Sequence, residues 1–302
     1  MDPVSTHYAP RAEVSLRLTL STLTQGSTDP TIRRDASGWW LALRLASGTA
    51  TLFLRERADA IEATAWGSGA AEAIAGVPDL LGAADDDDGF EPGRHPVIAR
   101  LHHRTRGLRL VRTRRILAAL VPTVLGQKVT GIEAKSAWRE LVTRHGDAAP
   151  GPAPLGMRVP PAPTVWRRIP SWEWHRAGVG PQRSDTLMRV FAVADGLERS
   201  ATVSAAEASR RLRTIPGIGV WSAAETVQRT HGDPDAVSVG DLHLCNRVGT
   251  ALIGQRVDDD GMLELLEPWR GHRQRVVRLI EANGIGYERH GPRMTIPAHR
   301  TR

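Results

Sequence analysis

The sequence predicts an α+β fold, with a small antiparallel β-sheet near the N-terminus and an all-helical region after it. Short segments that alternate apolar and polar residues fall within residues 12–56, whereas helical periodicity dominates from His95 onward. The chain has 302 residues, 41% of them hydrophobic, which is enough to bury a sizeable core in two domains.

The N-terminal part is predicted to contain strands at residues 14–20, 39–45 and 49–54. Their alternating pattern, with Gly, Asp and Ser residues between them, is typical of an antiparallel sheet that buries one face. Residues 70–81 predict a helix packed on that sheet. The acidic run Asp85 to Asp88 lies among Gly and Pro residues, and we interpret residues 85–93 as a solvated linker rather than a metal site.

These observations predict a domain organisation of an N-terminal α/β domain over residues 1–94, a helical domain over 95–286 and a basic tail over 287–302. The helical pattern is broken between residues 148 and 163, a stretch too rich in Pro and Gly for regular structure. The tail lacks periodicity and is a candidate for disorder.

Positive charge is concentrated in the later part of the chain. The net charge is +7, but residues 1–95 hold 8 Arg and 14 acidic residues, a net of −6, which leaves +13 for the remainder (32 basic against 19 acidic). General arginine enrichment is an alternative explanation, since 38 of the 40 basic residues are Arg, yet it would not leave the first part acidic. The distribution indicates a polyanionic partner.

The chain has one cysteine, Cys245, no hydrophobic N-terminal signal and no apolar run long enough to span a bilayer. We therefore expect a reducing cytoplasmic location and no membrane association. A single thiol cannot hold an iron–sulfur cluster or a zinc site built from several thiolates, and the histidines show no metal-ligand spacing, so no metal or other cofactor is expected. Cys245 is interpreted as a small core residue.

Residues 212–224 carry the most information. An amphipathic run leads into a tight turn with Gly217 and Gly219, and a second helix-forming run follows. Two glycines let the backbone bend sharply and approach another molecule closely, while the start of the next helix leaves N–H groups unpaired. Asp241 then opens a third helix-forming run. We interpret the turn as a phosphate-binding element.

These residues resemble the helix-hairpin-helix and catalytic-aspartate motif of the helix-hairpin-helix DNA glycosylase superfamily, and within it the 3-methyladenine DNA glycosylase II branch. Further segments are similar to the first core helix, to a second DNA-facing turn and to the opening of the last core helix, at residues 120–130, 178–184 and 268–270 respectively. The resemblance extends over roughly residues 95–285. It implies a helical glycosylase core, double-stranded DNA with a damaged base as the partner, and a monomer.

The resemblance implies that Asp241 is the catalytic aspartate. A glycosylase flips its target nucleotide out of the duplex and stabilises the cationic sugar that forms as the glycosidic bond breaks. One carboxylate near that sugar lowers the barrier and orients or deprotonates the attacking water. A helix N-cap is the alternative role for Asp241, and the two roles are compatible.

Bifunctional relatives carry a lysine two positions after the second hairpin glycine, where it forms a Schiff base with the sugar. Trp221 occupies this position, so the resemblance implies excision by water without strand cleavage. Trp221 also offers a face to a cationic alkylated base, worth about 0.5–2 kcal/mol, although packing against the core is nearly as plausible a role. Glu225 and Arg278 replace expected pocket aromatics, and Glu225 either attracts cationic bases or pairs with an arginine.

Several residues are candidates for DNA contact. The backbone groups of Gly217, Gly219 and Ser222 are predicted to bind phosphate. Arg183 and Arg247 are further phosphate candidates. Gln127 is favoured over Lys128 as the side chain that fills the gap left by the flipped base, with Lys128 reaching a phosphate; for both, a plain surface position is the alternative. Trp172 and Trp174 are interpreted as core residues, and His102 and His103 as exposed.

Three functions follow from the sequence. The first is a monofunctional DNA glycosylase of base excision repair that removes alkylated purines of the 3-methyladenine type. The second is a glycosylase for another damaged base, such as an oxidised or deaminated purine. The third is a non-catalytic helix-hairpin-helix DNA-binding protein, which Asp241 argues against, because a carboxylate facing phosphates weakens binding.

Overall fold

The computed structural model describes residues 2–287 and confirms the α+β fold. The N-terminal sheet is formed by strands β1 (Val4–Tyr8), β2 (Ile32–Arg34), β3 (Trp39–Leu45), β4 (Gly48–Glu56) and β5 (Ile61–Trp66). All its neighbouring strands are antiparallel, in the order β1-β5-β4-β3-β2. The predicted strands at 39–45 and 49–54 are thus confirmed as β3 and β4.

The sheet buries one face through strict alternation in β5, where Ile61, Ala63 and Ala65 are buried and the residues between them are half-buried. Helices α2 (Ala70–Ala75) and α3 (Val77–Leu80) cover this face. They replace the single helix predicted over residues 70–81. The helix is interrupted at Gly76 because Pro78 has no N–H to continue the hydrogen-bond ladder.

Residues 14–20 were predicted to form a strand, and this prediction is wrong: Leu16–Leu20 form the short helix α1. The Ser15 side chain caps the helix by accepting a hydrogen bond from the Leu18 N–H at 3.4 Å. The Glu56 carboxylate accepts the Leu16 N–H at 2.6 Å. Leu16 and Leu20, one turn apart, are both fully buried, so the same spacing of leucines serves a helix as well as a strand.

The second part of the chain is helical, with short 3-10 turns between some helices. Its helices are α4 (Pro96–Arg104), α5 (Ile116–Leu125), α6 (Gly131–His145), α7 (Pro163–Trp166), α8 (Ser171–Arg176), α9 (Pro181–Ala192), α10 (Ala194–Glu198), α11 (Ala205–Arg213), α12 (Val220–Thr230), α13 (Leu244–Ile253), α14 (Asp259–Leu266) and α15 (Arg273–Ala282). The predicted break at 148–163 contains only two very short strands, β6 (Asp147–Ala148) and β7 (Arg158–Val159). The predicted domain boundary after residue 94 falls where α4 begins, and the tail beyond Tyr287 lies outside the described residues.

The helical part has two hydrophobic clusters. One lies among α5, α6, α9, α11 and α12 and includes stacked aromatic rings, with Trp166 parallel to Phe191 at 5.6 Å. The other lies among α4, α13, α14 and α15. Between these two clusters, α12 and the segment before α13 bring Trp221 of the hairpin and Asp241 together. No helix in residues 2–287 is long and apolar enough to cross a membrane.

Two predictions about side chains need correction. Trp174 is buried and stacks on Trp166, but Trp172 is 58% exposed, with the Arg176 guanidinium 5.1 Å from its ring centre. The acidic run is only partly solvated, because the Asp85 side chain is 1% exposed and pairs with Arg275 at 2.8 Å. The other three aspartates of the run are accessible to solvent, as predicted.

Candidate active site

The predicted hairpin is formed by α11, α12 and the turn between them. Gly217 has a φ of +100°, which disfavours any residue with a Cβ atom, and a Cβ at this position would lie 2.2 Å from Thr186 Oγ1 on α9. Gly219 is the N-cap of α12, and a Cβ there would meet nothing within 4 Å. The first glycine therefore lets the turn pack on α9, and the second leaves the start of α12 open to an approaching molecule.

Replacing Gly217 by alanine is expected to lower the free energy of unfolding by about 1–3 kcal/mol, because of both the positive φ and the contact with Thr186. The matched control Gly219→Ala has free space and is expected to cost less than about 1 kcal/mol. If the start of α12 binds a DNA phosphate, as the sequence predicts, Gly219→Ala should nevertheless weaken duplex binding, because its methyl group would occupy the open space there. Thermal denaturation and binding titrations separate these effects; equal losses of stability would contradict this assignment of the two glycines.

Asp241 lies beside the hairpin and is fixed by contacts to both carboxylate oxygens. Oδ1 accepts hydrogen bonds from the backbone N–H groups of His243 at 2.8 Å and Leu244 at 3.0 Å, at the start of α13. The N-cap position itself is occupied by His243, so Asp241 satisfies these N–H groups from two residues before the cap. Oδ2 accepts one from Trp221 Nε1 at 3.2 Å. The structure therefore brings Trp221 of the second hairpin helix onto the carboxylate, although twenty residues separate them in sequence.

The loop that carries Asp241 is fixed by two backbone hydrogen bonds. Gly240 has a φ of +90°, and its N–H donates to Asp259 Oδ2 at 2.9 Å. The Asp241 N–H donates to the Ser238 carbonyl at 3.2 Å. These bonds orient the Asp241 side chain before any ligand binds, which is the preorganisation that electrostatic catalysis needs.

A cavity of about 190 Å³ lies next to Trp221, between the N-terminal sheet and the helical part. Trp221 and Glu225 of α12 line one side, residues of α5 and α6 line another, and Thr31, Ile32 and Leu43 of the N-terminal part close it. Its volume exceeds the roughly 150 Å³ that accommodates benzene in an engineered protein cavity. The cavity is therefore large enough for an aromatic ring, and the N-terminal sheet supplies one of its walls.

Comparison with solved structures identifies the fold. A 3-methyladenine DNA glycosylase from Archaeoglobus fulgidus superposes with a TM-score of 0.76 and 14% identity, covering 95% of this chain and 100% of that one. An 8-oxoguanine glycosylase/lyase from Clostridium acetobutylicum without DNA superposes with a TM-score of 0.70 and 12% identity, covering 93% and 96%. The same enzyme bound to duplex DNA gives 0.67 and 12%, covering 94% and 99%. The chain has the helix-hairpin-helix DNA glycosylase fold. No protein-family model and no curated protein matches its sequence.

Within this glycosylase fold, Glu225 lines the cavity but its charge is already paired. Arg229, one turn later on α12, forms an ion pair with Glu225 Oε2 at 2.9 Å, and Ser238 Oγ donates to Oε1. Arg229 Nε also donates to the Thr22 carbonyl at 3.1 Å, which ties α12 to the N-terminal part. Of the two roles considered for Glu225, pairing with an arginine is the one that the structure shows.

Arg278 was expected in the base pocket, but the structure places it on α15, where it pairs with Glu281 at 2.9 Å. It is not among the described residues that line the cavity. Glu281 also lies 3.7 Å from Arg247 of α13, whose side chain remains a third exposed. Both arginines thus share one carboxylate, and phosphate contact by Arg247 stays a prediction.

Gln127 and Lys128 follow α5 directly and have different surroundings. The Gln127 amide donates to the Gly217 carbonyl at 2.9 Å and to Ser222 Oγ at 2.8 Å, so it holds the hairpin against α5. Lys128 is exposed and has a φ of +55°, which is uncommon for a residue with a side chain. Of the two, Lys128 is the exposed residue, whereas Gln127 is half-buried and hydrogen-bonded to the hairpin.

Arg183 belongs to the second predicted DNA-facing turn, where Gly180 caps α9 with open space around it. The Arg183 guanidinium donates to the carbonyls of Leu125 and Gly178, both at 2.7 Å. Burial lowers the pKa of Arg183, with Glu133 acting in the opposite direction. Arg183 therefore fixes this turn to the end of α5, and a phosphate contact from its side chain would be additional to that role.

Sequence reasoning missed Arg115, Lys135 and Arg229, which bring positive charge to the cavity wall. They lie on three different elements, and no local motif marks them. The one available signal was that the chain has only two lysines, Lys128 and Lys135, and that both lie near the segment similar to the first core helix of the family.

Proposed function

We propose that this chain is a monofunctional DNA glycosylase of base excision repair, which hydrolyses the N-glycosidic bond of a damaged purine and leaves an abasic site. The observation that carries the proposal is the hydrogen bond between Trp221 Nε1 and Asp241 Oδ2. It joins a carboxylate beside a helix-hairpin-helix turn to the wall of a cavity that fits a flat base. A protein that only binds DNA has no use for this arrangement.

In the proposed reaction the damaged nucleotide rotates out of the duplex and its base enters the cavity. As the bond between C1′ and the base nitrogen breaks, positive charge develops on the sugar. The Asp241 carboxylate stabilises that charge and orients or deprotonates the attacking water. The water oxygen forms the new bond to C1′, and the electron pair of the broken bond leaves with the base.

Trp221 supports hydrolysis rather than lyase chemistry, because an indole cannot form a Schiff base with the sugar. The C. acetobutylicum enzyme with the same fold is described as a glycosylase/lyase, so the fold alone does not decide between the two activities. The lysine side chains available for Schiff-base formation in this sequence are those of Lys128 and Lys135. Neither lysine occupies the hairpin position.

For DNA binding we propose that the starts of α12 and α9, capped by Gly219 and Gly180, each face a phosphate. Lys128 is the better candidate for the gap left by the flipped nucleotide, because Gln127 is occupied by the hairpin. The partner is a duplex with a damaged base, bound by one copy of the chain in the cytoplasm. Alkylated purines of the 3-methyladenine type, which the sequence resemblance implies, are the first substrates to test.

The proposal predicts base release without strand cleavage. Purified protein incubated in single-turnover conditions with duplexes that carry alkylated, deaminated or oxidised purines should release at least one free base, and strands should break only after mild alkali. Borohydride reduction should trap no covalent complex. A trapped complex that disappears in Lys128→Gln or Lys135→Gln would instead assign lyase activity to that lysine. Tight duplex binding without release of any base would favour the binding-module alternative.

A further inference from the structure

We propose that the cavity beside Trp221 selects uncharged damaged purines that carry a keto oxygen, and that Arg115 makes this selection by rejecting cationic bases. The proposal rests on the proposed glycosylase function, because the cavity matters to selection only if a flipped base enters it. It narrows the substrate class to oxidised or deaminated purines, as opposed to the cationic lesions that methylation produces.

Arg115 immediately precedes α5, and its side chain lines the cavity. Within the described part of the chain its guanidinium makes one weak hydrogen bond, from Nε to the Thr113 carbonyl at 3.4 Å. Glu198 lies nearby, but its two carboxylate oxygens accept the N–H groups of Ile116 and Leu117, each at 2.9 Å. The terminal nitrogens of Arg115 are therefore available to a ligand in the cavity.

The guanidinium stays charged in this position. Burial lowers the pKa of Arg115 to about 10, with Glu198 and Glu72 opposing the shift, so the side chain is a cation at neutral pH. Arg115 is half-buried, and Glu198 and Glu72 attract its charge, although neither forms a direct ion pair with it within the described residues. Charged groups in such surroundings are concentrated at binding sites. The position of Arg115 is thus explained if an acceptor on a ligand completes its hydrogen bonds.

The rest of the cavity wall adds positive charge. Arg229 and Glu225 form an ion pair and cancel each other. Lys135 of α6 lines the cavity as well and is exposed on its solvent side. Among the described lining residues, Arg115 and Lys135 therefore have no carboxylate partner, while Glu198 and Glu72, which do not line the cavity, offset part of the Arg115 charge.

This charge distribution discriminates between lesions. A purine methylated at N3 or N7 is cationic in the nucleoside and is repelled by the Arg115 guanidinium that lines the cavity. Arginine offers only donors, so its complement is a carbonyl oxygen or an unprotonated ring nitrogen. Hypoxanthine and 8-oxoguanine are uncharged and carry keto oxygens. Trp221 provides a stacking face for both kinds of base, which leaves Arg115 to separate them.

The test compares four lesions in otherwise identical single-turnover assays: hypoxanthine and 8-oxoguanine in defined duplexes, and 3-methyladenine and 7-methylguanine in methylated duplex DNA. The wild-type chain is expected to release at least one keto purine about tenfold or more faster than either cationic base. Arg115→Gln, which removes the charge and keeps hydrogen-bonding atoms, should reduce that ratio by about tenfold. Arg115→Lys should largely keep it, and Lys135→Gln should shift it in the same direction as Arg115→Gln but less.

Thermal denaturation of each variant shows whether it folds. If Arg115→Gln does not fold, Lys135→Gln still tests the effect of cavity charge, because Lys135 is exposed and its replacement should not disturb the fold. Faster release of the cationic bases by the wild type, or a ratio that neither substitution changes, would overturn the proposed selection while leaving the glycosylase function intact. Failure to release any of the four bases, together with normal duplex binding, would count against the glycosylase function itself. Affinities of the Asp241→Asn variant for duplexes with hypoxanthine and with 7-methylguanine give a second readout that does not depend on catalysis.

Discussion

Replacement of Asp241 by asparagine is expected to slow base release by about 10²–10⁴-fold while duplex binding is retained. Asparagine has nearly the same shape, and its amide oxygen can still accept the N–H groups of His243 and Leu244, so the cap at α13 survives. What is lost is the negative charge that stabilises the developing sugar cation. The effect should therefore appear in the single-turnover rate and not in the dissociation constant for DNA.

Two control variants separate catalysis from structure. Asp260→Asn removes an exposed carboxylate a short distance further along the chain and should leave the rate unchanged. Trp221→Phe keeps a ring on the cavity wall but removes the hydrogen bond to Asp241 Oδ2, so it should slow the reaction less than Asp241→Asn. If Asp241→Asn kept the wild-type rate and lost only thermal stability, Asp241 would be a helix cap alone.

The parts of the site that the sequence predicts are those encoded locally. The hairpin can be recognised because Gly217 and Gly219 are two residues apart, and because the positive φ of Gly217 is one that few other residues tolerate. Asp241 can be recognised because it opens a helix soon after the hairpin. The structure adds the Trp221 contact to Asp241, which couples these two local motifs.

The cavity could not be predicted in this way, because its walls come from Thr31, Arg115 and Glu225, which are far apart in sequence. A sequence pattern predicts which face of a helix is buried, but it does not predict which charged side chains of other elements lie against that face. Glu225 shows this limit. The sequence allows it to attract a cationic base, but in the structure its carboxylate is paired with Arg229 and accepts a hydrogen bond from Ser238.

The same reasoning explains the errors in the fold. Leucines at every second position satisfy a strand, and those four apart satisfy a helix, so residues 14–20 fit both patterns. Glu56 of β4 favours the helix, because its carboxylate accepts the N–H of Leu16 at the start of α1. Strand β5 was not predicted although its alternation is strict, because the segment is short and two of its three inward residues are the small residues Ala63 and Ala65, which give a weak hydrophobic signal.

Removal of the Asp85 carboxylate is expected to cost about 3–5 kcal/mol of unfolding free energy, although its acidic run suggested a solvated loop. Asp85 and Arg275 are 1% and 5% exposed, and their closest atoms lie 2.8 Å apart. Asp85 also accepts the Leu110 N–H at 3.0 Å. Asp85→Ala would leave the Arg275 cation buried without its partner, which is far more costly than the loss of an exposed ion pair.

The neighbouring Asp88→Ala is the matched control, since Asp88 is exposed and should change stability by no more than about 0.5 kcal/mol. Asp85→Ala should lower the melting temperature by roughly 5–15 °C. The double variant Asp85→Leu with Arg275→Met should recover most of this loss, because it removes both charges and keeps the volume filled. A double variant no more stable than Asp85→Ala would show that the pair stabilises the fold through its specific hydrogen bonds. These bonds connect the predicted linker to α15.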